Sequence, residues 1–141
     1  IIGYPGETNQ DFNDTLKLLK EVEFINSYSF IFSPRPGTPA SKMEKIDENV
    51  AKDRLKIFQK SADELKMKYR KELINKKVSV LFENKIKGKK NEFFGRDEHS
   101  NSVIVKSHNN LVGKIEEVNI FEGNQNTLYG RIEKKFNNFA A

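Results

Sequence analysis

The sequence predicts an α+β fold in three parts: a βαβ unit, a long helix, and a small five-stranded antiparallel β-barrel. Three observations carry that prediction. An apolar stretch at 28–32 follows an amphipathic segment and runs into Ser33-Pro34-Arg35-Pro36-Gly37-Thr38-Pro39-Ala40, whose prolines and glycine forbid helix or ladder. From residue 47, apolar residues recur at steps of four and three over about seven turns. Beyond residue 75 the period changes to two, in five short segments separated by Gly-, Asn- and Lys-rich turns.

Taken in order, residues 1–8 read Ile-Ile-Gly-Tyr-Pro-Gly-Glu-Thr. The chain opens without methionine inside a strand-like apolar pair, which predicts a piece of a longer protein. Gly3 and Gly6 bracket Pro5 in a strand-to-helix turn, where missing side chains let a ligand approach the backbone. Thr8 caps the helix that follows, with Asp11 as its capping-box partner. Phe12, Leu16, Leu19 and Val22 fall on one face of it, and Asp14, Lys17, Lys20 and Glu21 face water. Glu7 either meets a ligand or favours the helix N-terminus through the macrodipole.

The 28–32 segment then completes a βαβ unit, implying a parallel sheet and a right-handed crossover. The 33–40 loop leaves the strand's C-terminal end carrying one arginine and two hydroxyls. Enzymes of the α/β class place substrate and cofactor contacts there; the plain alternative is a rigid interdomain turn.

Asp47 is the expected N-cap of a helix running to about Leu73, with Ala51, Leu55, Phe58, Ala62, Leu65 and Tyr69 forming one stripe. At 1.5 Å per residue such a helix reaches ~38 Å, enough to join two bodies. A stripe of this kind serves intramolecular packing rather than a partner-helix seam, so a monomer is expected.

In the last part Val78, Val80 and Phe82 alternate with Lys77, Ser79 and Leu81. Further strands are expected at Glu92–Asp97, Ser102–Lys106, 112–121 and 127–133. Five short strands in this space suggest a barrel resembling an OB-type reader. Gly95, Gly113 and Gly130 fall inside strands, as corners or close approaches require. The expected division is 1–46 for the βαβ unit, 47–74 for the linker helix, 75–136 for the barrel and 137–141 for a tail.

Composition narrows the function classes. No apolar run approaches the ~20 residues of a bilayer span and no secretory leader is visible, so a cytoplasmic protein is expected. With no cysteine the chain has no disulfide framework and no thiolate for zinc or an iron–sulfur cluster. The formal charge of +5 is uneven: residues 1–75 hold 13 Lys/Arg against 12 Asp/Glu, and residues 76–141 hold 12 against 8. The basic half makes a polyanion partner plausible, against the plain reading of a solvated lysine-rich surface.

Within that half, Arg96, Lys106, Lys114 and Arg131 suit phosphates, and Phe93 and Phe94 could stack bases. The two rings are adjacent and take opposite faces, so at least one is core; Phe94 is the ring expected to face RNA. The lysines of the 85–90 loop could follow a backbone without reading sequence. His99 and His108 read as polar loop residues rather than metal ligands. No Ser/His/Asp set, P-loop or carboxylate dyad is present.

Several of these runs resemble the radical S-adenosylmethionine methylthiotransferases, most closely the MiaB-type, tRNA-modifying branch. Residues 2–8 (Ile-Gly-Tyr-Pro-Gly-Glu-Thr) resemble the family's fifth barrel strand and turn, with Tyr4 where phenylalanine is usual. Residues 30–40 (Phe-Ile-Phe-Ser-Pro-Arg-Pro-Gly-Thr-Pro-Ala) resemble the sixth strand and loop. Arg54-Leu55 and Gln59 are similar to the linker helix. Gly95-Arg96, Val103-Ile104-Val105, Gly113-Lys114 and Asn126-Thr127-Leu128-Tyr129-Gly130 are similar to the TRAM domain, a five-stranded RNA-binding barrel.

The resemblance implies that residues 1–46 end a partial (β/α) radical-enzyme barrel. It implies a parent transferase that adds a methylthio group to an isopentenylated adenosine beside the tRNA anticodon. Such enzymes use S-adenosylmethionine and two 4Fe-4S clusters, whose cysteines lie in upstream parts that this chain does not contain; the chain alone is expected to be inactive. By position, Gly3, Pro5, Gly6 and Glu7 would wall the cofactor's adenosine. The Phe32–Ser33 backbone would edge the adenine, and Arg35 and Thr38 would face cofactor or target base. Phe94, Arg96, Lys106, Lys114 and Arg131 would meet the anticodon stem-loop, with no role for DNA or a membrane. Two alternatives stay open: a non-catalytic RNA-binding TRAM module, and a relative acting on threonylcarbamoyl-adenosine in tRNA. The basic charge of the barrel argues against a basic ribosomal-protein substrate.

Overall fold

A computed structural model describes residues 1–133. The elements are α1 (Asn9–Val22), a 3₁₀ turn (Pro39–Lys42), α2 (Glu48–Glu72), β1 (Lys77–Lys85), β2 (Glu92–Asp97), β3 (Ser102–Lys106), β4 (Ile115–Gly123) and β5 (Leu128–Ile132). They fall into two compact units, Ile1–Lys68 and the chain from Tyr69 onward. The expected end of the barrel at 134–136 and the tail at 137–141 lie outside the described residues.

In the first unit α1 begins as its sequence dictates. The Thr8 hydroxyl accepts from the Asp11 amide, and the Asp11 side chain accepts from the Thr8 amide, a complete capping box. Phe12 and Leu19 are buried, whereas Val22, read as part of the same stripe, is 51% exposed in the last turn, which closes on a left-handed Glu23 whose amide donates to Leu19 O. Helix α2 opens on Asp47, whose Oδ1 accepts from the amides of Asn49 and Val50.

The strand expected at 28–32 does not form as such. Ile2 bridges Ile31 in the parallel sense, the Ile2 amide donating to Phe30 O and the Phe32 amide to Ile2 O, each at 2.8 Å. The parallel βαβ sense is therefore present at a single rung. A strand needs a ladder along its length, and Tyr28 and Phe30 stand 90% and 66% exposed with none.

The second unit is a closed barrel in the order β1-β2-β3-β5-β4. Val80, Phe82, Phe93, Val103, Val105, Val118, Ile120 and Leu128 fill it, the inward half of each period-two pattern. The barrel is mixed, not antiparallel: β3 and β5 run parallel, through Val103↔Leu128, Ile104↔Tyr129 and Val105↔Gly130. Parity requires this. Around a closed ring the number of antiparallel neighbours must be even, so five strands need at least one parallel pair.

A strand limit differs from expectation where a turn intervenes. The segment expected at 112–121 becomes Ile115–Gly123, because residues 111–114 make a turn with Gly113 at φ +78° and the Lys114 amide bonded to Leu111 O. Gly113 is thus a turn residue and not a strand corner. Gly95 and Gly130 do lie in strands at close approaches: a Cβ on Gly130 would run into Val118 Cγ1 and stand 2.9 Å from Asn119 O.

One end of the barrel is held by the last turn of α2. Arg70, 3% exposed, donates through NH1 to Asn124 O at 2.5 Å and through NH2 to Asn126 O at 3.4 Å, fixing the β4–β5 turn. Beside it Asp97 Oδ1 accepts from the amides of His99 and Asn101, and Oδ2 from the Asn101 side chain, closing the β2–β3 turn. Among the described residues no helix is long and apolar enough to cross a membrane.

Candidate nucleic-acid face and cofactor cleft

The turn at residues 3–7 is built around Glu7. One carboxylate oxygen accepts from the Gly3 amide at 2.9 Å, and the other meets Arg54 NH1 at 2.7 Å. Arg54 is 7% exposed and also donates to Glu7 O at 3.0 Å and to Asn9 Oδ1 at 2.7 Å. Its guanidinium carbon stands 5.6 Å from the centre of the Phe12 ring. Gly3 has φ +75° and packs so tightly on α2 that a Cβ would come within 2.8 Å of the Ala51 Cβ. Both oxygens of Glu7 are therefore engaged within the chain, and its position is fixed from α2.

A separate cleft of about 560 Å³ opens beside the Ile2–Ile31 rung, lined by Ile1, residues 30–33, Arg35, Thr38 and Ala40. Phe32, Ser33, Arg35 and Thr38 are brought together here; Gly3, Pro5, Gly6 and Glu7 do not line it. Thr38 is held to the loop by its amide and its hydroxyl, both donating to Arg35 O. Arg35 is left exposed at the rim. A mostly apolar cleft with one guanidinium suits an aromatic base bearing a charged tail. The donor set for a cluster is a different matter: the chain has no cysteine, and no group of His, Asp and Glu fit to hold a metal occurs among the described residues.

On the barrel, Phe93 is core at 4% exposure and Phe94 points outward. Register places Phe94 opposite Ile104 on β3, and Ile104 opposite Tyr129 on β5. These three residues form one outward row across three strands. Arg96, two residues from Phe94, stacks its guanidinium 5.5 Å from the Phe94 ring and pairs with Glu83 at 3.1 Å. Lys106 and Arg131 each stand one residue beyond the last β3–β5 pair, Val105↔Gly130, so strands distant in sequence bring them side by side. Lys106 pairs with Glu92 at 3.6 Å, and Arg131 lies 5.2 Å from the Phe121 ring.

Phe94, Arg96, Lys106 and Arg131 are thus gathered on one face. Lys114 is not among them: its carbonyl accepts from Phe82 on β1, across that strand from β2. Tyr129 and Phe121 were missed as face residues. Tyr129 alternates outward between Leu128 and Gly130, a signal that period-two reading could have used. Phe121, 44% exposed beside the irregularity between Ile120 and Glu122, also falls outward by alternation with the buried Val118 and Ile120.

No family model matches the chain. It is 47% identical over 133 residues to the tRNA-2-methylthio-N(6)-dimethylallyladenosine synthase of Pelagibacter ubique, covering 94% of this chain and 29% of that protein. The synthases of the same name from Ruthia magnifica and Vibrio campbellii are 39% and 38% identical, each over 94% of this chain. The chain is homologous to a C-terminal segment of these synthases. It spans about 29% of the length of the relatives it matches.

Proposed function

We propose that the chain serves a tRNA methylthiotransferase of the radical S-adenosylmethionine class, supplying part of the cofactor pocket and the tRNA-binding barrel. The observation that carries this is 47% identity to a synthase of that name across 94% of the chain. In this reading 1–46 ends the radical-enzyme barrel, 47–74 is the linker helix, 75–136 is the TRAM barrel and 137–141 a tail. The reaction adds a methylthio group to the isopentenylated adenosine next to the anticodon, in the cytoplasm.

S-adenosylmethionine with its clusters supplies the radical chemistry, and the clusters must be held by cysteines from elsewhere in a parent enzyme. What this chain offers is a wall. Phe32 and Ser33 border the cleft with their backbone, Arg35 offers a cation to the cofactor or target base, and Thr38 stiffens the loop beneath it. Gly3, Pro5, Gly6 and Glu7 shape the neighbouring turn rather than the cleft lining. The anticodon stem-loop meets Phe94, Arg96, Lys106 and Arg131, with Lys114 on the flank.

The test is a chimera in which this chain replaces the matching segment of the Pelagibacter ubique synthase. Nucleoside mass spectrometry of tRNA from a deletion strain should show the methylthio group restored on isopentenyladenosine. A chimera that folds and loads both clusters yet leaves that nucleoside unmodified overturns the assignment. Modification of threonylcarbamoyl-adenosine instead would move the chain to the related enzyme. Arg35→Ala in the active chimera should cut turnover, and unchanged turnover removes Arg35 from the site.

A further inference from the structure

We infer that the outward row Phe94–Ile104–Tyr129 is a platform for unpaired RNA bases, and that the phosphates are held separately by the lysines of the β1–β2 hairpin. The inference rests on the RNA-binding reading of the barrel and narrows it to single-stranded RNA.

The first argument is geometric. Neighbouring strands lie about 4.8 Å apart, so Phe94 on β2 and Tyr129 on β5, with β3 between, are separated by roughly 10 Å. Two rings sandwiching a single base would need to stand about 7 Å apart, twice a van der Waals contact. The row therefore suits successive bases splayed across the strands, one per ring, with Ile104 between. A duplex keeps its base faces stacked internally and offers none to such a row.

The second argument is electrostatic. Much of the cationic charge on the face is already committed: Arg96 to Glu83 and Lys106 to Glu92. The four lysines at 85, 87, 89 and 90 are exposed, and among the described residues none of them forms an ion pair with an acidic side chain. Their hairpin lies at the end of the barrel where β1 finishes and β2 starts. That is also the end where β3 and the parallel β5 finish, so Lys106 and Arg131 point the way from the row to the hairpin. The hairpin is pinned there, with the Ile86 amide donating to Glu92 O and the Ser107 amide to Asn91 O. Base contacts and phosphate contacts are thus divided between two parts of one surface, which makes them separable by mutation.

The experiment measures binding of the full 141-residue chain to a short mixed-sequence RNA oligonucleotide, and to the same sequence annealed as a blunt duplex, across a salt series. The single strand should bind at least ten-fold more tightly, since stacking contributes about 5- to 150-fold per base. Tyr129→Leu and Phe94→Leu keep bulk but lose the ring, and each should weaken single-strand binding by such a factor with the salt slope unchanged. Tyr129→Phe, which keeps the ring, should retain affinity and serves as the control for folding. Lys87→Gln, Lys89→Gln and Lys90→Gln together should lower the salt slope by about 2, at about 0.7 per phosphate contact. Equal affinity for both RNAs, or leucine variants that fold and bind like wild type, would overturn the inference while leaving RNA binding intact. No binding of either RNA at low salt would bring down the RNA-binding reading itself.

Discussion

Arg54 shows what a single buried cation can organise. It reaches three acceptors on Glu7 and Asn9 from a site 7% exposed, and Glu7 returns its second oxygen to the Gly3 amide. Removing one member of such a pair leaves the other charge desolvated without compensation. Arg54→Ala should therefore destabilise the first unit by about 3–5 kcal/mol, read as a shift in urea midpoint; a loss near zero would mean that water already solvates Glu7. The capping box makes a pH prediction at the same scale. Hydrogen bonds from the Thr8 hydroxyl and amide hold the Asp11 carboxyl below its ordinary value. A depressed folded value means stability that is present above the unfolded value, near 4, and lost as pH falls through the folded one. Helicity of the wild type should fall more steeply between pH 5 and 2 (roughly that window) than helicity of Asp11→Asn. Parallel acid limbs would show that the bonds do not discriminate the charged form. The capping box was legible in Thr8-x-x-Asp11, because caps are local. The partner of Glu7 was not, because Arg54 is 47 residues away.

At the scale of elements, periodicity found most of the strands and missed how they close. Glu92–Asp97 and Ser102–Lys106 stand at their expected limits, since alternation with a buried half is a local property. The parallel β3–β5 contact has no local signature; it follows only once the sheet is known to close on five strands. The reading of 28–32 failed for the complementary reason. Alternating aromatics look half-buried wherever they occur, and Tyr28 and Phe30 find nothing to cover them among the described residues. Closure gives a sharp mutational prediction at Gly130, which sits on the parallel seam facing Val118 and Asn119. Gly130→Ala forces a methyl against backbone oxygen that cannot yield, so the barrel should lose about 2–3 kcal/mol or more. Gly88→Ala makes the contrast: its Cβ would meet open space, and the cost is only that of a positive φ in an exposed hairpin, about 1–2 kcal/mol. Equal losses at the two positions, measured by denaturant unfolding, would mean the seam is looser than its geometry.

For the molecule as a whole, the decisive quantity is how unevenly the core is shared. The barrel buries Val80, Phe82, Phe93, Val103, Val105, Leu111, Val118, Ile120 and Leu128 in one cluster. The first unit buries only Ile2, Pro5, Phe12, Leu19 and Ala51 among its apolar side chains, and its parallel pairing is one rung. Burial contributes about 25 cal/mol per Å², while ordering costs about 1–2 kcal/mol per residue in both units, so the first must open more readily. The site readings inherit the same asymmetry. The barrel face could be assembled from alternation and charge, whereas the cleft depends on the Ile2–Ile31 rung and on a loop whose conformation only the folded chain reveals. Native-state hydrogen exchange tests the point directly. The amides of Ile2 and Phe32, although hydrogen-bonded, should exchange through openings of lower free energy than those of Val103 and Ile120 in the barrel. Denaturant should then remove protection from residues 1–46 first, in a transition separate from that of the barrel. A single cooperative loss with matched protection in both regions would show that the rung and its cleft share the barrel's stability.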